Sequence, residues 1–229
     1  MGSARCCMRI IAIVSITFLL LLGRCSAQEK FDVFFVAVGS GSYIAPPKAV
    51  GISDLKGLPP IPGAAKSAEL VAELLQRGGT SFGVKLVSDE THFVGRDDIV
   101  NAISRVFHEI AKTQPRHPLV VFYFAGHGVA DGMTWDHYSL PGNFLYRGDL
   151  SVAVGPQWSG AAANLSLHAA TLVAWFLDAR MPFLVILDTV VKRPHSDGIA
   201  SSGASPVRSI GRIIHSTNAI SSLDRVYFA

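Results

Sequence analysis

Three wholly apolar runs constrain this chain more than any other feature: FFVAVG at Phe34 to Gly39, LVVFYFA at Leu119 to Ala125 and FLVIL at Phe183 to Leu187. Each is too short for a buried helix and lacks the polar alternation of a half-solvated strand, so each reads as a strand buried on both faces. Between them lie segments of helical period. Ala64 to Arg77 places Ala68, Val71, Ala72, Leu74 and Leu75 on one face and stops at Gly78-Gly79. Asp97 to Lys112 repeats the pattern with Ile99, Ile103, Val106, Phe107 and Ile110. Phe82 to Val87 supplies another strand, Leu167 to Ala179 a third helix, and Arg225 to Phe228 the start of a fifth strand. Lys48 to Gly63, with Pro59, Pro60 and Pro62, reads as a long surface loop, and Gly126 to Ser166 has no clear period. Buried strands alternating with amphipathic helices predict an α/β fold, a three-layer sandwich around a mainly parallel sheet.

The amino terminus is of another kind. Arg5 and Arg9 precede an apolar run from Ile10 to Leu22, and Cys25-Ser26-Ala27 offers small residues for cleavage. Residues 1–27 therefore read as a secretory signal peptide and 28–229 as a single domain, secreted or periplasmic after cleavage. The run is shorter than the roughly 20 residues a spanning helix needs, so no stable membrane span is expected afterwards. Arg24 before Cys25 argues against lipidation.

The leader also carries the charge imbalance. The whole chain has 20 Lys and Arg against 17 Asp and Glu; removing Arg5, Arg9 and Arg24 leaves 17 against 17. A neutral domain gives no electrostatic reason to expect a nucleic-acid partner. All three cysteines, Cys6, Cys7 and Cys25, lie in the leader, so the cleaved domain has no disulfide, zinc-thiolate site or thiol nucleophile.

In sheets of this class, functional side chains gather beyond the carboxyl ends of the strands. Two segments qualify: Gly126-His127-Gly128 after the third strand, Leu119 to Ala125, and Asp188-Thr189-Val190 after the fourth, Phe183 to Leu187. His127 between two glycines reads equally as an exposed general base and as a histidine capping a strand. Asp188 reads as a carboxylate facing the same crevice or as a cap for the following turn. His127, Asp131, Asp136 and His137 offer metal donors, but their spacing fits no specific motif, and a solvated loop is the simpler account. Neither a metal nor another cofactor is expected. Asn164-Leu165-Ser166 meets the glycosylation pattern, and Phe122, Tyr123 and Phe124 read as core rather than as an aromatic box.

VVFYFAGHG at Val120 to Gly128, followed by ILDTVVKRP at Ile186 to Pro194, resembles the caspase-like peptidases, particularly bacterial caspase-domain proteins and metacaspases. The resemblance extends to FFVAVG as the first strand, to LPPIPGAAKSAELVAELL as its loop and helix, and to Asp131-Gly132 and Tyr138-Ser139-Leu140-Pro141. It implies a caspase-like sandwich, with His127 as the catalytic histidine and Val190 in the place of the catalytic cysteine. The interval between them is 63 residues, compatible with the roughly 50 of caspases. Asp188 matches the family carboxylate that receives a basic substrate side chain, and the backbone near Gly128 would donate to an oxyanion. Ser67 and Asn143 stand where acidic residues are common.

An isopropyl group neither ionises nor attacks a carbonyl, so the resemblance implies a pseudo-peptidase that binds peptide or protein segments. The alternatives are an active hydrolase using Thr189 or a metal, and a shortened domain without activity. The chain stops within what reads as a strand. A naturally short protein, a gene fragment, and a sheet completed by strand addition from a partner or a second copy all fit that ending.

Overall fold

The computed structural model describes residues 31–45, 55–130, 137–147, 166–192 and 227–228. In chain order these form β1 (Asp32–Gly39), β2 (Leu55–Gly57), α1 (Pro62–Arg77), β3 (Phe82–Val87), α2 (Arg96–Thr113), β4 (Pro118–Ala130), β5 (His137–Leu140), β6 (Leu145–Arg147), β7 (Leu167–His168), α3 (Ala169–Asp178), β8 (Phe183–Lys192) and β9 (Tyr227–Phe228). The fold is mixed α/β, as expected from the alternation of apolar runs and amphipathic segments.

The parallel part of the main sheet runs β3, β1, β4, β8, β9. β4 organises it. Along one edge β1 pairs with β4 as far as Ala125, and from His127 onward β5 pairs with β4 antiparallel; β8 runs parallel to β4 from Val120 to Val129. β7 adds to β5, and β2 and β6 form a separate antiparallel ribbon.

Each face of the sheet buries its own core. Phe34, Val36, Val38, Phe122, Phe124 and Val185 pack against Ile99, Ile103 and Val106 of α2 and Leu172, Val173 and Phe176 of α3. On the other face, Phe35, Ala37, Val121, Tyr123 and Ala125 meet Ala64, Ala68 and Ala72 of α1. The alanine stripe brings α1 close to β1: a Cβ on Gly39 would lie 2.8 Å from the Ala64 carbonyl oxygen and from the Ala65 Cα. At the start of α2, the Asp98 carboxylate accepts the Gly95 N–H at 2.8 Å, and Asp97 and Asp98 both suit the helix dipole.

Several expectations need correction. The Lys48 to Gly63 loop contains β2, whose backbone is satisfied by β6, and α1 starts at Pro62, where a missing N–H costs nothing in the first helical turn. Leu167 and His168 pair with β5, so α3 begins only at Ala169. Leu74 is 49% exposed; α1 rests on its alanines, with Val71 and Leu75 alongside, which turns Leu70 and Leu74 outward. Gly126-His127-Gly128 and Asp188-Thr189-Val190 are not loops beyond strands. Both segments continue their strands, because β4 and β8 stay paired through them. Residues 1–27, Asp131, Asp136 and Asn164 lie outside the described residues. Among the described residues no helix is long and apolar enough to cross a membrane.

Candidate functional site

The site lies where β4 exchanges β1 for β5. His127 is registered with Leu140 of β5 on one side and with Val190 of β8 on the other, and Ala125 is registered with Asp188. Registered neighbours on adjacent strands stand about 4.8 Å apart and share a face. Alternation along β4 continues the α1-side series Val121, Tyr123, Ala125 to His127. Thr189, registered with Gly126, is one residue out of phase with this set.

His127 is 4% exposed, so the expectation of an exposed imidazole at a sheet edge is corrected. Its burial comes from the segments around it. Its Nε2 lies 2.8 Å from the Pro59 carbonyl oxygen, in the segment leading into α1. A carbonyl oxygen only accepts, so this bond requires the proton on Nε2 and leaves Nδ1 as the basic nitrogen of the neutral ring. Nδ1 is itself buried from solvent, so a proton reaches it only from a group seated against the ring.

The Tyr43 ring lies against the imidazole, with centroids 5.0 Å apart and planes at 53°. The His127 N–H donates to the Tyr43 hydroxyl at 2.8 Å, and that hydroxyl donates to the Leu140 carbonyl at 3.2 Å. Burial pushes the pKa of the Tyr43 phenol well up, an effect partly opposed by the hydrogen bond from His127. Gly126 makes room for the phenol: a Cβ there would sit 2.9 Å from the Tyr43 oxygen. The glycine before the histidine thus admits a tyrosine of the protein itself.

Asp188 is half-buried, and Tyr123 donates its hydroxyl hydrogen to Asp188 Oδ2 at 3.0 Å. No Lys or Arg among the described residues forms an ion pair with it. The remaining acceptor positions of this carboxylate suit an N–H donor. Gly128 is buried in β4, registered with Ser139 and Val191. Ser67 is half-buried on α1, and Asn143 sits in the turn after β5 with its side chain against Gly95, away from the His127 register.

The structure therefore brings His127, Val190 and Asp188 onto neighbouring positions of two parallel strands. Among the described residues no group of three His, Cys, Asp or Glu side chains is arranged to hold a metal, and Asp131 and Asp136 of the proposed donor set fall outside them. Sequence reasoning missed Tyr43 and the Pro59 carbonyl. The proline cluster before α1 reads in the sequence only as a surface loop, and nothing local marks Tyr43. Compared with known protein families and with curated proteins, the chain matches none.

Proposed function

We propose that this protein is a secreted caspase-like domain whose nucleophile position is occupied by valine, and that it acts by binding peptide or protein segments rather than by cleaving them. The observation that carries this reading is the register of His127 with Val190 on adjacent parallel strands. A histidine and a nucleophile must lie side by side to exchange a proton, and these two positions do. The bond from His127 Nε2 to Pro59 supports it further, since it supplies the third, orienting member of such a constellation. The attacking atom is what the site lacks.

Asp188, with acceptor capacity left after its bond to Tyr123, favours ligand segments that carry a basic side chain. Thr189 is a poor substitute nucleophile because alternation sets it on the other face of β8 from the positions flanking it. The leader at residues 1–27 supports action outside the cytoplasm.

The test is Val190→Cys in the full chain, assayed on arginine- and lysine-containing peptides beside the unmodified protein. Cleavage by the cysteine variant alone, abolished by a further His127→Ala, is the expected result. Cleavage by the unmodified chain that disappears in His127→Ala would overturn the pseudo-peptidase reading. If neither chain cleaves or binds the peptides, the reading of a peptide groove fails.

A further inference from the structure

We propose that Tyr43 is a positioning residue for His127, holding both the main chain and the ring of the histidine so that the imidazole proton stays on Nε2. The functional weight of the inference rests on the reading of His127 as the proton acceptor of the site. Its test does not depend on any peptidase activity.

Three independent contacts carry it. First, the Tyr43 hydroxyl stands between two backbone groups that face each other in the β4–β5 register, accepting from the His127 N–H at 2.8 Å and donating to the Leu140 carbonyl at 3.2 Å. One side-chain hydroxyl thus completes the ladder at the histidine itself. Second, the phenol ring lies 5.0 Å from the imidazole and limits its rotation from one side. Third, Gly126 has no side chain at the point where any Cβ would sit 2.9 Å from the Tyr43 oxygen and 3.0 Å from the Ser40 Cβ. A tyrosine buried only for its apolar ring would not require the two hydrogen bonds.

The consequence for chemistry follows from the tautomer. With the main chain pinned and the ring supported, Nε2 is directed at the Pro59 carbonyl 2.8 Å away. Turning the ring over would exchange this bond for a buried N–H without that acceptor, at a cost the desolvated setting makes large. Nδ1 then remains the nitrogen that can accept a proton. Removing the phenol oxygen leaves the His127 N–H to find another partner, which requires β4 and β5 to shift at the histidine.

The experiment is long-range nitrogen–proton NMR on the 15N-labelled full chain, with His127→Ala assigning the signal. The unmodified protein should present His127 as a single tautomer protonated on Nε2. In Tyr43→Phe a second tautomer should appear, and the Nε2 proton should exchange with solvent about ten-fold faster, the factor that loss of one net hydrogen bond corresponds to. His168, whose ring stacks on Tyr138 at 4.7 Å and 24° in the same sheet, is the internal control and should not change. Site-specific replacement of Tyr43 by a fluorotyrosine, which keeps the ring but weakens the phenol oxygen as the acceptor of the His127 N–H, should move His127 in the same direction and keeps the test decisive if Tyr43→Phe fails to fold. An unchanged His127 in a folded variant would overturn the proposal. So would equal changes at His127 and His168, since these would mark a general loosening rather than positioning. Inactivity of Val190→Cys alongside the expected spectra would count against the peptidase ancestry of the site and leave the role of Tyr43 standing.

Discussion

Gly39→Ala should be among the most damaging single-methyl additions to this protein, although the glycine adopts a backbone conformation open to any residue. The added Cβ would lie 2.8 Å from the Ala64 carbonyl oxygen, 2.8 Å from the Ala65 Cα and 2.9 Å from the Ala68 Cβ. Ordinary contact begins at 3.4 Å, so α1 must retreat by about 0.6 Å. The obstructing atoms belong mostly to backbone, and no rotamer change relieves them. Overpacking of this kind costs about 1–3 kcal/mol, and a backbone obstruction places it near the upper end. For a domain of this size about 3 kcal/mol corresponds to a fall of roughly 6–12 °C in Tm. The displacement also reaches the site, because the Ile61 N–H is bonded to the Gly41 carbonyl at 2.8 Å and Pro59 lies just before it. Denaturant and thermal unfolding would read the stability change. Gly63→Ala is the matched control: its Cβ meets nothing within 4 Å at the start of α1, and it should be neutral or stabilising by about 0.5 kcal/mol. A Gly39→Ala protein within about 0.5 kcal/mol of the unmodified chain would refute the close approach of α1 to β1.

Other expectations follow from the same packing. Phe176 is fully buried, stacked on Phe183 at 5.3 Å and edge-on to Phe107 at 5.8 Å, so Phe176→Ala should cost about 3–5 kcal/mol in denaturant unfolding. Leu74→Lys should change stability by no more than about 0.5 kcal/mol, since the side chain is 49% exposed on the outer face of α1. Tyr43 predicts alkaline sensitivity with a definite sign. Burial raises the phenol's pKa above its ordinary 10.0, so above that pH the unfolded chain releases a proton that the native protein retains. The contribution is intact below pH 10 and is lost as pH rises towards the native value; unfolding curves against pH should steepen there in the unmodified chain and less so in Tyr43→Phe.

Much of the fold was legible locally. FFVAVG and LVVFYFA became buried strands, FLVIL became a strand with Phe183 and Val185 buried and Leu184, Ile186 and Leu187 half-buried, and the face of α2 carrying Ile99, Ile103, Val106 and Ile110 is the face that packs. Period and residue type carry that information within one element. Leu74 escaped the same reasoning because α1 lies on a narrow stripe of alanines, and how closely a helix approaches a sheet depends on what it meets, Gly39 above all.

The candidate site divides along the same line. His127 and Asp188 could be singled out from the chain because apolar runs lead into their segments, whereas Val190 was marked only by what the resemblance implies. Their setting could not be read there. His127 sits within a strand because β5 and β8 both pair with its neighbours, and its ring is held by groups distant in sequence, Pro59 68 residues and Tyr43 84 residues away. Hydrophobic period is a property of consecutive residues. Hydrogen-bond partners of a buried imidazole are supplied by whichever segments the sheet brings to it, so only the tertiary structure decides its tautomer, its burial and the residue beside it.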